Sequence, residues 1–192
     1  MPTEGTVRDE FMRVAKDVTE KLQELGKSPV LVGMMGAGKT TVGKHLADLL
    51  GVTFRDLDDV IVAREGRGIP EIFEKDGEAE FRKIEGRTIR SLFEEVGVLA
   101  VGGGAFVEEN TRAVIRERGL SVWLRGDPKA LYVRIEGDEN RPKLQDFSSF
   151  SALCDKRCPV YARADMAVET VGKEPQEVAR EVVMALRAHL KL

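Results

Sequence analysis

The feature that most constrains the fold is the segment GMMGAGKTT, residues 33–41, which lies between an apolar run and an amphipathic helical pattern. The apolar run ends at Gly33. The helical pattern covers roughly 38–50 and places its apolar residues on one side, namely Val42, Leu46, Leu49 and Leu50. A glycine-rich turn between a buried strand and a helix is typical of a β-α unit in a parallel sheet.

The spacing in this segment matches a phosphate-binding loop (P-loop), in which Gly, four residues and Gly-Lys-Ser/Thr follow one another: Gly33, Gly38, Lys39, Thr40. The glycines let successive N–H groups turn around phosphate oxygens, and the following helix adds its positive N-terminal end. Lys39 is expected to reach the β- and γ-phosphates of ATP, and Thr40 to ligate Mg²⁺. A chance glycine-rich turn is the alternative, which the flanking strand and helix disfavour. The other predicted ATP contacts of the loop are Gly36, Ala37 and Thr41.

Strand-like and helical segments alternate along the rest of the chain, which predicts an α/β domain over 29–192 with five parallel strands covered by helices on both faces. The predicted strands are Val30–Gly33, Thr53–Leu57, Val98–Val101, Ser121–Leu124 and Met166–Glu169. The predicted helices cover roughly 38–50, 59–65, 78–95, 108–118, 127–136, 149–162 and 175–190. The polar segment 137–148 has no apolar period, and it predicts a mobile surface loop.

Residues 1–28 form an extension before this domain. An apolar stripe at helical spacing predicts an amphipathic helix over 4–25, ended by Gly26, with Val7, Phe11, Val14, Val18, Leu22 and Leu25 on the stripe. We expect the stripe to pack on the chain's own surface, which gives a monomer. A dimer formed through this helix is the alternative.

Charge and composition indicate a cytoplasmic protein without nucleic-acid or membrane partners. The formal net charge is −3, and no apolar run approaches the roughly 20 residues that span a bilayer. The N-terminus lacks the basic-then-apolar order of a signal peptide. Cys154 and Cys158 are interpreted as reduced thiols, since no second cysteine pair is present to build a zinc site.

Three carboxylates follow the second predicted strand: Asp56, Asp58 and Asp59. If the extended conformation persists, Asp56 and Asp58 lie on the same side and face the P-loop at the sheet edge where ligands bind. One could then serve the Mg²⁺ region and the other a substrate hydroxyl. Asp59 fits a helix start, and helix capping is the alternative for all three.

Several motifs together resemble the shikimate kinase family, and the resemblance spans about residues 29–170. The motifs are GMMGAGKTTVGKHLA (33–47), FRDLDDVI (54–61), GIPEIFEKDGEAEFRKIE (68–85), VLAVGGGAF (98–106), RP (141–142) and KRCPVYARAD (156–165). The resemblance implies a three-layer P-loop kinase fold, with substrate-binding helices at about 59–95 and a lid at about 137–150. It also implies transfer of the ATP γ-phosphoryl group to the 3-hydroxyl of shikimate in aromatic amino-acid (chorismate) biosynthesis.

The resemblance also implies residue roles. Arg82 and Arg157 match the arginines that bind the substrate carboxylate, and Gly103 and Gly104 match backbone that meets the substrate ring. Asp58 matches the carboxylate that binds the attacking hydroxyl, and Asp56 the one that supports Mg²⁺. In the lid region, Arg141 matches a residue that neutralises charge on the transferring group, and Arg134 an adenine-stacking arginine.

Without the resemblance, the same residues allow more than one interpretation of their roles. With the resemblance, Glu85 is expected to hold the Arg82 guanidinium in place from three residues along the same helix; without it, the two residues indicate only a weak surface ion pair. Gly102, Gly103 and Gly104 indicate that backbone approaches something closely, whereas a tight turn needs only one glycine. Lys143 and Leu144 depart from the two apolar residues that usually follow RP in the family. Alternative functions are a gluconate or nucleoside monophosphate kinase, or an ATP-responsive regulatory domain without turnover.

Overall fold

The computed structural model describes residues 4–136 and 146–192, and within these ranges helices and strands alternate as predicted. The strands are β1 (Ser28–Val32), β2 (Thr53–Asp56), β3 (Gly97–Ala100), β4 (Gly119–Arg125) and β5 (Met166–Glu169). The helices are α1 (Glu4–Leu25), α2 (Lys39–Leu50), α3 (Leu57–Glu65), α4 (Ile69–Ser91), α5 (Glu109–Arg118), α6 (Pro128–Val133), α7 (Phe147–Tyr161) and α8 (Pro175–Leu190). A 3₁₀ turn spans Ala105–Val107.

The five strands form one parallel sheet in the order β2-β3-β1-β4-β5, so β1 is central. Every residue of β1 is buried. Because successive side chains of a strand point to opposite faces, this pattern means that helices cover both faces. Helices α1, α2 and α8 pack together, and α4 contacts both α3 and α5. The predicted α/β class with five parallel strands is confirmed.

The largest difference from the predicted elements lies before residue 78. Helix α4 begins at Ile69, with Pro70 in its first turn, where the missing N–H of proline costs no hydrogen bond. The helix is broken at Gly77, whose φ is 81°, and it ends at Ser91 rather than at residue 95. The apolar periods missed the arm 69–76, because glycine and proline disfavour helix when only local sequence is considered, whereas the resemblance implied helices over about 59–95.

The parallel topology brings three sequence motifs to one edge of the sheet. The P-loop follows β1, Asp56 ends β2, and Gly102 follows β3 after one residue. Since β2, β3 and β1 are neighbours, their carboxyl ends are adjacent. This edge is where open α/β sheets bind ligands.

Helix α1 packs its middle section onto the domain. Ala15, Val18 and Leu22 are buried against α2 and α8, and the Thr19 hydroxyl donates to the Leu50 carbonyl oxygen at 2.9 Å. The two ends of the predicted stripe do not pack on the domain as expected, because Val7 and Leu25 are exposed. The centre of the stripe therefore belongs to the core of this chain.

Two leucines on α1 allow a matched test of this packing. Leu22 is 1% exposed and Leu25 is 48% exposed. We expect Leu22→Ala to lower the free energy of unfolding by about 3 kcal/mol, because it leaves a cavity, and Leu25→Ala to change it by less than about 1 kcal/mol. Denaturant unfolding measures both. Similar losses for the two variants would show that α1 is not anchored through Leu22.

The described helices were compared with the length and apolarity that a membrane span requires. None of the helices in the ranges 4–136 and 146–192 is long and apolar enough to cross a membrane.

Cys154 and Cys158 are free thiols, one buried and one half-buried. Burial raises the pKa of Cys154 to about 11 and also raises the pKa of Cys158, so both stay protonated at neutral pH.

Candidate active site

A cavity of about 400 Å³ lies at the carboxyl edge of the sheet, between the P-loop, the start of α3 and the loop after β3. It brings together residues that are distant in sequence. The predicted site residues on its wall are Gly36, Gly38, Lys39, Thr40, Thr41, Asp56, Asp58, Gly103 and Arg134.

The P-loop has the backbone that a phosphate cradle requires. Gly36 and Gly38 have φ values of 79° and 83°, in the left-handed region that side chains disfavour. A Cβ on Gly36 would also lie 2.5 Å from the Leu131 carbonyl oxygen. Helix α2 begins directly after Gly38, which has no side chain to cap it, so its first N–H groups can serve an anion.

Lys39 folds over this loop. Its Nζ donates to the carbonyl oxygens of Gly33 at 2.9 Å and Met34 at 3.0 Å. These bonds keep the ammonium group above the cradle, where it can meet a phosphate.

Asp56 joins the P-loop to the start of α3. One carboxylate oxygen accepts from the Thr40 hydroxyl at 2.8 Å, and the other accepts from the Asp58 N–H at 3.1 Å. The extended conformation does not persist to Asp58, and the capping alternative holds for Asp56, which is the N-cap of α3, so that the helix begins at Leu57. Asp58 therefore reaches the cavity from the first helical turn. Asp59 is exposed in the same turn, where the helix dipole favours a carboxylate.

The loop after β3 contains three glycines, and each packs against a different predicted site side chain. A Cβ on Gly102 would lie 2.9 Å from Asp58 Oδ1. A Cβ on Gly103 would lie 3.0 Å from Arg157 Nη1, and a Cβ on Gly104 would lie 2.6 Å from Arg82 Nη2. None of these glycines has a positive φ. Space, rather than backbone conformation, therefore explains the glycines.

Arg82 has fixed carboxylate partners. Its Nη1 donates to Glu85 at 2.8 Å and its Nη2 to Glu78 at 3.2 Å. The expected hold of Glu85 on the Arg82 guanidinium is present, and the alternative of a weak surface pair is wrong, since the Glu85 side chain is 1% exposed. Burial raises the pKa of Glu85, and the Arg82 charge opposes this rise. A buried pair of this kind holds the guanidinium in one orientation and is costly to break.

Arg157 differs from Arg82. It is half-buried on α7, and among the described residues no carboxylate lies within ion-pair distance of it. Two guanidinium groups therefore flank the glycine loop, one held by acidic side chains and one with its charge available. Such a pair suits an anionic ligand, since guanidinium forms two parallel hydrogen bonds with a carboxylate.

Arg134 closes a second cavity of about 340 Å³ on the other side of the P-loop. Its guanidinium donates to the carbonyl oxygens of Gly36 at 3.2 Å and Thr170 at 3.3 Å. The predicted residue Ala37 lines this cavity. The opposite wall comes from the loop between β5 and α8, which the sequence analysis missed because no motif marks it: Thr170, Lys173, Glu174 and Pro175.

One group of predicted residues is not described by the structure, and one motif residue lies away from the cavity. Arg141, Lys143 and Leu144 lie outside the described residues, as does most of the predicted lid, while α7 already begins at Phe147. Asp165, the last residue of KRCPVYARAD, accepts from the Ser121 N–H at 2.7 Å and from its hydroxyl at 2.6 Å. Asp165 therefore ties β4 to the segment before β5 rather than serving the cavity.

A phosphate cradle on a five-stranded parallel sheet, with an adjoining cavity that Asp58 lines and a glycine loop that two arginines flank, defines a P-loop kinase that acts on a small molecule. The family model for shikimate kinase matches residues 35–187. The chain belongs to the shikimate kinase family.

Individual relatives agree with this assignment. The shikimate kinase of Caulobacter vibrioides is 46% identical over 166 residues, which are 84% of this chain and 82% of the relative. A solved structure of shikimate kinase from Acinetobacter baumannii in complex with shikimate aligns with a TM-score of 0.82 and 36% identity, over 88% of this chain and 97% of that one. A gluconokinase from Sinorhizobium meliloti shares only the fold, with a TM-score of 0.56 and 18% identity, over 87% of this chain and 95% of that one.

Proposed function

We propose that this chain transfers the γ-phosphoryl group of ATP to the 3-hydroxyl of shikimate, giving shikimate 3-phosphate and ADP in aromatic amino-acid biosynthesis. One observation carries the proposal. The three glycines after β3 bring Asp58, Arg157 and Arg82 against one short stretch of backbone, beside the phosphate cradle. A hydroxylated carboxylic acid complements this set of one acceptor and two cations.

Each residue is given the role that the family resemblance implies and that its position supports. Arg82 and Arg157 bind the carboxylate of shikimate, while the backbone of Gly103 and Gly104 contacts its ring. Asp58 accepts a hydrogen bond from the attacking hydroxyl and takes its proton. The hydroxyl oxygen forms a bond to the γ-phosphorus as the bond from that phosphorus to the β-γ bridging oxygen breaks, and ADP leaves.

The nucleotide is placed by the P-loop. Backbone N–H groups of Gly36–Thr41 surround its phosphates, and Lys39 stabilises the negative charge on the β- and γ-phosphates. Arg134 stacks on the adenine at the second cavity. The family resemblance assigns Arg141 the role of neutralising negative charge on the transferring phosphoryl group.

Thr40 and Asp56 would hold Mg²⁺. A hydroxyl and a carboxylate oxygen lie 2.8 Å apart at the cradle, and hard oxygen donors suit this ion. In the described ranges, no group of three or more His, Cys, Asp and Glu side chains could hold a metal. A small protein donor set fits Mg²⁺, which keeps waters and phosphate oxygens as its other ligands. When bound, the ion neutralises phosphate charge.

We further propose a monomer in the cytoplasm. The centre of the α1 stripe is already buried within the chain, and two protonated thiols suit a reducing compartment.

A coupled assay of ADP release tests the function directly. We expect turnover when shikimate is offered with ATP and Mg²⁺, and at most slow background release with gluconate or AMP. Turnover with gluconate or AMP in place of shikimate would contradict the proposal. Nucleotide binding without turnover of any of the three would favour a regulatory domain.

A further inference from the structure

Tyr161 is a buried phenol beneath the substrate cavity. It is the last residue of α7 and has no exposed surface. Its ring packs near Phe106 and Trp123, with centroid distances of 6.5 Å and 6.2 Å. The proposed chemistry does not use it, yet a hydroxyl buried this completely needs a partner.

The hydroxyl finds that partner in the glycine loop. It donates to the Gly103 carbonyl oxygen at 2.5 Å and lies 3.8 Å from Met34 Sδ, at the start of the P-loop. A single oxygen atom thus contacts the backbone of the substrate loop and a side chain of the nucleotide loop.

Arg157 lies one helical turn before Tyr161, on the same face of α7. A Cβ on Gly103 would lie 3.0 Å from Arg157 Nη1 and 3.5 Å from the Tyr161 oxygen, so both groups flank the same backbone atom. Burial raises the pKa of Tyr161 to about 12, although the nearby charge of Arg157 acts in the opposite direction. The phenol therefore stays protonated and donates to Gly103, and its oxygen keeps the capacity to accept a hydrogen bond from the neighbouring Arg157.

The two arginines that flank the glycine loop are then held by different means. Glu85 and Glu78 hold Arg82, whereas Arg157 has no carboxylate partner among the described residues. We propose that Tyr161 is a positioning residue whose hydroxyl, held by the Gly103 carbonyl oxygen, orients Arg157 for the substrate carboxylate. A neutral phenol suits this role, because it fixes the guanidinium without neutralising the charge that the substrate must meet.

This proposal rests on the proposed function, so wild-type turnover of shikimate is established first. Tyr161→Phe removes one oxygen and keeps the ring. We expect the KM for shikimate to rise about tenfold, with the KM for ATP unchanged within about twofold. Because the variant also leaves a buried carbonyl without its partner, Leu22→Ala serves as a control that loses stability far from the cavity. We expect Leu22→Ala to leave both KM values unchanged at a temperature where it is folded.

A double-mutant cycle separates action through Arg157 from other effects. If Tyr161 acts through Arg157, adding Tyr161→Phe to Arg157→Ala should weaken shikimate binding by less than about twofold beyond Arg157→Ala alone. If the fold losses of shikimate binding in the two single variants multiply in the double variant, the two residues act independently and the proposal is overturned. An unchanged shikimate KM in Tyr161→Phe, or equal rises for shikimate and ATP, would also overturn it. Absence of shikimate turnover in the wild type would instead refute the proposed function.

Discussion

Lys39→Ala is expected to reduce kcat by a factor of at least about a hundred. The ammonium group lies over the P-loop, within 2.9 Å and 3.0 Å of two of its carbonyl oxygens, where the β- and γ-phosphates would bind. Its loss removes a charge that stabilises the transferring phosphoryl group, an effect of about 3 kcal/mol or more. Steady-state kinetics with saturating shikimate and ATP measures the change.

Lys44→Ala is the matched control, since Lys44 is exposed on the same helix and away from both cavities. We expect this variant to keep the wild-type kcat, because its charge is screened by solvent. Near-normal phosphoryl transfer by Lys39→Ala would show that the loop does not bind nucleotide as proposed.

Arg82→Lys is expected to weaken shikimate binding by about 2 kcal/mol or more and to leave ATP binding nearly unchanged. The substitution keeps a positive charge beside the buried Glu85, which avoids the larger cost of an unpaired buried carboxylate. It replaces the planar guanidinium with a point charge, and the two parallel hydrogen bonds to a carboxylate are lost. Calorimetric titration with each ligand separately measures both affinities.

Arg87→Lys is the control for this substitution, because Arg87 lies on the same helix with 69% of its side chain exposed. We expect no change in either affinity. Equal losses of shikimate and ATP binding in Arg82→Lys would place the residue in the fold or the nucleotide site. A wild-type shikimate affinity in the lysine variant, with loss only in Arg82→Ala, would show that charge alone matters.

Short-range patterns were sufficient to predict the fold class and the phosphate cradle. The conformation of the P-loop is determined locally. Its glycines adopt left-handed φ angles, and helix α2 begins within the motif, so a short stretch of sequence is enough to recognise it. The apolar periods similarly predicted five parallel strands and the bounds of α1 and α8. Where local preferences conflict with tertiary packing, as in the arm of α4 before Gly77, sequence alone failed.

Asp56 and Asp58 show why a correct set of residues can accompany a wrong geometry. A period of two was assumed past Asp56, but the Asp56 carboxylate accepts from the Asp58 N–H and ends the strand there. An Asp side chain can either continue a strand or cap a helix by accepting from a backbone N–H two residues later, and the composition of the segment does not show which of the two occurs. Both side chains still reach the cavity, because the start of α3 lies at the same sheet edge.

Local patterns were enough to assign the class of the domain and the phosphate-binding loop, and family motifs were enough to nominate the residues of the site. The surroundings of these residues became known from the folded chain: Glu85 is buried, each glycine after β3 faces a different side chain, and Tyr161 lies under Gly103. These contacts join residues up to 58 positions apart in the case of Tyr161 and Gly103. The physical reason is that burial and close approach depend on how strands are ordered in the sheet, and strand order is set by packing of the whole chain rather than by any local pattern.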